Sequence, residues 1–296
     1  MEPDHPGTVG GGEMAEHRVA NFRLQSLQVV GLREDGYAQP VGRVPAFWSF
    51  SDHEDDLVHV VTSEVGGQAA SLYTRDMLAF LDYDGTLTTH ECNEIVLQRF
   101  VGDAWRPLEA EAQADRMSHA EVFDRQIGLI RAPREELLGA LVAEAEPALG
   151  LPAFLAELEA RGGRPVIVSA GLREAIAAVW SREKLPPVEL HASELVGGGP
   201  QGGPPYRLAF SDVLGDCPRC GPGACKGAAL RAMRRPGEQV LVFGDGASDL
   251  CPAREADLTF ARGHLAKRCA DEGLEWRPLA DFATVWSEVD AWTARR

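Results

Sequence analysis

The stretch MLAFLDYDGT, residues 77–86, decides the fold. Its first five residues form a short, continuous apolar run that ends in acid and glycine, as expected of a strand buried on both faces of a parallel sheet and running into a loop. Strand-like runs return at RPVIVSAG (164–171), VELHASEL (188–195), QVLVFGDG (239–246) and ADLTFA (256–261), with helix-like segments at 172–183, 226–235 and 263–271 between or after them. Such alternation predicts an α/β fold, a doubly wound, Rossmann-like parallel sheet covered by helices and right-handed in its crossovers. Residues 91–161 lack strand signals and read as a helical insert. Asn93–Val101 is apolar on one face, Ser118-x-x-Glu121 is a capping box, and a further helix opens at Pro133. The core is therefore expected over residues 77–90 and 162–296.

Ahead of Met77 the pattern is weak. Residues 1–20 are Gly, Pro and charge without an apolar period and read as a disordered tail. Residues 21–76 carry short apolar runs, LQVVGL and DLVHVV, that suggest weak strands of unknown role. Two readings of this extension stay open: an accessory β-rich region, or sequence upstream of an authentic start at Met77.

Composition narrows the function. The 296 residues are 45% apolar and 25% charged, enough for a proper core. The formal net charge of −16 repels phosphate backbones and anionic head groups, so neither nucleic acid nor a membrane surface is an expected partner. No apolar run is long enough to span a bilayer and no leader is visible, so the expected location is cytoplasmic. Six cysteines in a chain of this length do not call for a disulfide scaffold and read as thiols.

In a parallel sheet the ligand sits at the carboxyl ends of the strands. Asp82 and Asp84 follow the first strand, Ser169 ends the second, Asp245 and Asp249 follow the strand at 239–244, and Lys226 opens the helix before it. Several carboxylates, a hydroxyl and an ammonium on one sheet edge are an inventory for phosphoryl transfer. Loop carboxylates suit Mg²⁺, which takes oxygen ligands and keeps several waters. One Asp can attack phosphorus, and a second carboxyl two residues on can protonate the leaving alcohol and then activate water. Ser169 and the N–H groups of Ala170 and Gly171, read as the start of a helix, can hold phosphate oxygens. Only three of the 29 basic residues are lysines, which sets Lys226 apart from an ordinary surface charge.

An apolar run into DxDGT, a second ending in Ser, then Lys, then GDGxxD resembles the haloacid dehalogenase superfamily of phosphatases over residues 77–271. The resemblance implies Asp82 as nucleophile and Asp84 as general acid/base. It further implies Ser169 and Lys226 as phosphate binders and a Mg²⁺ site drawn from Asp82, Asp84, Asp245 and Asp249. It also implies that residues 91–161 are a cap closing over a small-molecule phosphate ester, as in the phosphoserine phosphatase-like branch. The segment GDGASDLCPAREADLTFARGHLAKRCADEGLEWRPLADF looks like the methionine-salvage 2-hydroxy-3-keto-5-methylthiopentenyl-1-phosphate phosphatases. Glu91 and Arg125 match positions that contact the amino-acid part of substrate in phosphoserine phosphatases, whereas Ser248 stands where those enzymes usually have Asn. Phosphoserine therefore stays open as an alternative substrate. A non-catalytic binding or zinc-stabilised protein of the same fold is the rival from another class. A monomer or homodimer is expected.

Cys217, Cys220 and Cys225 stand in CPRCGPGAC. Their spacing suits tetrahedral Zn²⁺ with His191 or Asp216 as fourth ligand, but three thiolates are one short and reduced thiols are the expectation. Cys92, Cys251 and Cys269 read as buried small side chains.

Overall fold

β3 (Met77–Leu81) is buried at every position in the computed structural model, which describes residues 27–32, 38–44, 76–114 and 116–295. Alternate residues serve opposite layers: Met77, Ala79 and Leu81 enter one apolar cluster, Leu78 and Phe80 another. β4 (Arg164–Leu172) and β9 (Gln239–Gly244) flank β3 in parallel and divide in the same way. Ile167, Leu241 and Phe243 face the first layer, and Val166, Val168, Val240 and Val242 the second. This period of two is what a strand buried on both faces requires.

β5 (Glu189–Gly197) and β6 (Tyr206–Ala209) extend the sheet beyond β4, and β10 (Leu258–Ala261) and β11 (Trp276–Pro278) extend it beyond β9. The order is β11-β10-β9-β3-β4-β5-β6, parallel throughout except for β6. α5 (Leu151–Ala160), α6 (Arg173–Arg182) and α10 (Val285–Thr293) cover the first layer through Phe154, Ile176, Trp180 and Trp292. α7 (Lys226–Met233) covers the second through Ala229 and Leu230. α8 (Leu250–Ala253) and α9 (Gly263–Glu272) close the end of the sheet around Leu265 and Cys269. The expected doubly wound architecture is present.

The insert holds α1 (Cys92–Val101), α2 (Arg106–Gln113), α3 (His119–Ile127) and α4 (Arg134–Glu144). Val96, Leu97, Ile127 and Leu137 form a cluster of their own that meets the outer side of α6 at Ala175 and Val179. α5 lies within the same stretch of sequence but packs with the sheet, so the helices part company near Gly150. Ser118 caps α3 by accepting from the Glu121 N–H at 3.3 Å, while the Glu121 carboxylate turns to Arg125, so only half of the expected capping box forms. α3 is tied to β6 through buried Asp124, which accepts from the Leu208 N–H at 2.7 Å and the Arg207 guanidinium at 2.6 Å.

Two further features depart from the sequence expectation. β6 is four residues after a Gly/Pro run, too short to leave a periodic signal. The ladder between β4 and β5 slips between Val168 and Leu172, so Ser169, Ala170 and Gly171 sit in a bulge of the strand, and α6 begins only at Arg173. A bulge re-aims side chains at a strand end without needing a helix start.

The chain divides into two units, Met1–Tyr73 and Thr74–Arg296. In the first, β1 (Leu27–Leu32), which is the LQVVGL run, pairs antiparallel with β2 (Ala38–Val44). DLVHVV and the tail over residues 1–20 lie outside the described residues. Among the described residues no helix is long and apolar enough to cross a membrane.

Candidate active site

Asp82 leaves β3 with its N–H bonded to the Phe243 carbonyl at 3.0 Å, which sets the β3 loop against the end of β9. Gly85 then turns with φ +72°, and a Cβ there would stand 2.6 Å from Asp245 Oδ2, so only glycine allows the two loops to approach. Thr86 Oγ1 lies 3.0 Å from Asp245 Oδ1 and 3.3 Å from Asp82 Oδ2. The Lys226 Nζ donates to Asp82 Oδ1 at 2.5 Å and to Asp249 Oδ1 at 2.7 Å, with its side chain 5% exposed. Asp249 Oδ2 accepts from the N–H groups of Asp245 and Gly246 at 3.3 and 3.1 Å. Three segments, the β3 loop, the start of α7 and the loop after β9, thus meet through side-chain contacts.

The charge in this cluster does not balance. Carboxylate oxygens of Asp82, Asp245 and Asp249 lie within 4.8 Å of one another, against one ammonium. Burial pushes Asp82 well above the usual carboxylate range; Lys226 opposes this, and the charges of Asp249 and Asp245 add to it. Asp245 is pushed up to about 7 by burial and by the negative charge of Asp249 and Glu91. Burial alone would depress the Lys226 ammonium, but Asp249 and Asp82 more than offset it and its pKa is raised. Thr86 has one hydroxyl proton and two carboxylate neighbours, so it can satisfy only one of them at a time. Hard oxygen donors, surplus negative charge and an under-supplied donor count fit a bound Mg²⁺.

The structure does not bring the Asp84 carboxylate into that group. Its oxygens accept from the N–H groups of Cys92 and Asn93 at 2.6 and 3.0 Å, across the start of α1. Burial raises its pKa against these hydrogen bonds. Ser169 is buried and its Oγ accepts from the Gly171 N–H at 3.0 Å, so that donor is turned inward. Asp84 and Gly171 both line a cavity of about 20 Å³ with Tyr83, Cys92 and Asn93, room for about one water between α1 and β4.

Glu91 sits exposed at the entry to α1, near Gly85, with its carboxyl raised to about 7 by desolvation and by Glu94, Asp84 and Asp82. Arg125 is engaged by Glu121 at 2.6 Å on the exposed side of α3. The cysteine cluster gains a member from elsewhere in the chain: Sγ atoms of Cys217, Cys220, Cys225 and Cys251 all lie within 4.8 Å of one another. His191 instead pairs with Glu189 at 2.7 Å, and Asp216 accepts from the Gly223 N–H at 2.7 Å. Neither expected fourth ligand belongs to the group, and Cys251 is not merely a buried small side chain.

Two residues of the site were not singled out in the sequence. Thr86 completes the DxDGT run and joins Asp82 to Asp245. Arg262 directly follows β10 and donates to the Thr86 carbonyl at 2.5 Å, within the fields of Asp245 and Asp82. Its place just past a strand end was the available signal.

Known proteins bear on this geometry. The model of the haloacid dehalogenase-like hydrolase family matches residues 79–254. A 2-hydroxy-3-keto-5-methylthiopentenyl-1-phosphate phosphatase of Geobacillus kaustophilus (strain HTA426) is 28% identical over 220 residues, covering 74% of this chain and 96% of that one. Among solved structures, a phosphoserine phosphohydrolase-like protein from Francisella tularensis subsp. tularensis SCHU S4 superposes with TM-score 0.54 at 17% identity, over 72% of this chain and 99% of that one. A phospho-aspartyl intermediate analogue of phosphoserine phosphatase gives 0.50 at 20% identity, over 66% and 90%. The family match runs from β3 through α8, across the loops that carry Asp82, Lys226 and Asp245, and the chain belongs to the haloacid dehalogenase-like hydrolase family.

Proposed function

We propose that Asp82 is the nucleophile of a Mg²⁺-dependent phosphomonoesterase and that the substrate is 2-hydroxy-3-keto-5-methylthiopentenyl-1-phosphate. The observation that carries the mechanism is the buried Lys226 ammonium shared between Asp82 Oδ1 and Asp249 Oδ1. It holds the Asp82 carboxylate in one orientation and brings positive charge to the point where a phosphoryl group would arrive. Asp82 attacks phosphorus, the ester oxygen leaves with the Asp84 proton, and an aspartyl-phosphate remains. Asp84 then takes a proton from water as it attacks the same phosphorus, and phosphate departs. The raised pKa of Asp84 suits a group that must carry a proton into the first step. Thr86 and Arg262 position the β3 loop, and the Ser169 hydroxyl, held by the Gly171 N–H, contacts the phosphoryl oxygens with the Ala170 N–H. Asp82, Asp245 and Asp249 would hold Mg²⁺, which supplies electrostatic stabilisation of the phosphoryl charge.

Helices α1–α4 act as the cap, with Glu91 at its rim. The substrate assignment is supported by the Geobacillus kaustophilus relative, matched over 96% of its length. Phosphoserine is the second reading, favoured by the fold shared with phosphoserine phosphatases. Arg125, paired with Glu121 on an exposed face, lends it no contact. The reading places the enzyme in the cytoplasm as a monomer or homodimer. Its test is a panel of phosphate esters ranked by kcat/KM. The enol phosphate should lead phosphoserine by at least about tenfold, a difference of about 1.4 kcal/mol in barrier; the reverse order selects phosphoserine.

A further inference from the structure

We propose that Cys217, Cys220, Cys225 and Cys251 form a structural Zn²⁺ site, separate from the carboxylate site and closed to substrate. Three of the ligands come from one hairpin. β7 (Gly215–Cys217) and β8 (Gly221–Cys225) pair antiparallel, with Cys217 at the end of β7, Cys220 in the turn and Cys225 at the end of β8. The fourth, Cys251, stands on α8, after β9. Their Sγ atoms lie within 4.8 Å of one another, and Cys220 and Cys251 are 3.6 Å apart. Four thiolates on tetrahedral zinc at about 2.3 Å have sulfur–sulfur edges of about 3.8 Å. The cluster is therefore near that geometry without a ligand having to cross the fold. None of the four is in a disulfide, and 3.6 Å is far beyond the roughly 2 Å of an S–S bond.

The surroundings are those of a thiolate site. The Cys220 N–H donates to Cys217 Sγ at 3.2 Å, a contact that favours the ionised sulfur and fixes its direction. Cys220 and Cys225 are buried, and Cys217 and Cys251 half-buried. Zinc with four thiolates carries a net negative charge, and the guanidinium groups of Arg219, Arg231 and Arg254 lie within electrostatic reach of the sulfurs. Arg231 and Arg254 are shared with Glu255 and Glu272, while Arg219 reaches the Ala247 carbonyl at 3.2 Å. A Cβ on Gly227 would meet Cys251 backbone and Cβ atoms at 2.9 Å, so a glycine there is what lets α7 and α8 approach closely enough to join Cys225 to Cys251.

The site's position explains its purpose. Cys225 immediately precedes Lys226, and Cys251 follows Asp249 by two residues, so one ion would clamp both sides of the Lys226–Asp249 pair. With four protein ligands no coordination position is left for chemistry, and the ion holds two loops in register.

The test uses the full chain purified from zinc-supplemented medium, washed with EDTA and then analysed by native mass spectrometry and elemental analysis. One zinc per chain is expected, and Co²⁺ exchanged into the protein should give the intense thiolate-to-cobalt charge-transfer band that oxygen ligands do not produce. Cys251→Ser should lose the ion and the band. Should that variant fail to fold, the metal content and cobalt spectrum of the unsubstituted chain still decide. Asp82→Asn should keep full zinc, which separates this site from the phosphatase reading. A chain with no zinc and no charge-transfer band, or a disulfide within the cluster by intact mass, overturns the proposal.

Discussion

The Lys226 ammonium stands 2.5 Å from Asp82 Oδ1 with both side chains buried, although the two residues come from different strand–loop units of the sheet. The pair joins the first loop of the fold to the segment that precedes β9. It follows that loss of Lys226 leaves Asp82 and Asp249 facing each other without their common partner. Lys226→Met should lower kcat/KM by about 100-fold or more, about 2.7 kcal/mol or greater. It should also destabilise the metal-free protein by about 3 kcal/mol, the cost of stranding a buried charge. Steady-state kinetics and urea unfolding check the two halves.

Thr86 offers one proton to Asp245 Oδ1 and Asp82 Oδ2 at 3.0 and 3.3 Å. Thr86→Val keeps the shape and removes the donor. The expected result is an activity loss of about tenfold, about 1.4 kcal/mol, with Thr86→Ser close to the parent. Full activity in Thr86→Val with a loss in Thr86→Ser would mean that the methyl group, not the hydroxyl, matters.

The carboxyl cluster predicts an unusual pH dependence in EDTA. Asp245 titrates near 7 when folded against an ordinary value of 3.8, and Asp82 is raised as well, so the folded chain binds the extra protons. The Asp245 contribution to stability is fully present below about pH 4 and is lost as pH rises through about 7, and Asp82 acts in the same direction. Carboxyls that folding lowers, such as Glu238 and Glu272, finish titrating below this window. Melting temperature in EDTA should therefore fall between pH 5 and 8, and excess Mg²⁺ should restore it at pH 8. A flat profile in EDTA would contradict the assignment.

At the opposite edge of the sheet, Arg164 makes a two-pronged contact with buried Glu238, at 2.7 and 2.9 Å. Arg164→Ala leaves that carboxylate without its guanidinium, held only by the Arg235 N–H at 2.9 Å, and should cost about 3 kcal/mol by denaturant titration. Because the pair lies at the strand starts, kcat of the folded variant should be near that of the parent.

Much of this is legible in the sequence. Strands buried on both faces write unbroken apolar runs, so β3, β4 and β9 and the acids at their ends stand out. Loops joined across the sheet write nothing: Cys251 lies on α8, well apart from the CPRC turn, and only the packing of Gly227 against it brings the fourth sulfur in. Ser169, Ala170 and Gly171 read as a helix start because bulges leave no periodic trace, and the slip in the β4–β5 ladder puts them in the strand instead. Arg262 carries no motif of its own, since an arginine after a strand has the same signature as a solvated surface charge.

The central claim is that Asp82 becomes phosphorylated during turnover. A single-turnover reaction with p-nitrophenyl phosphate and Mg²⁺, quenched in acid and digested, locates the phosphoryl group by peptide mass spectrometry. The phosphate should appear on the peptide carrying Asp82 in the parent chain and be absent in Asp82→Asn, which should also be inactive. Phosphate on any other residue, or turnover by Asp82→Asn, would contradict the account.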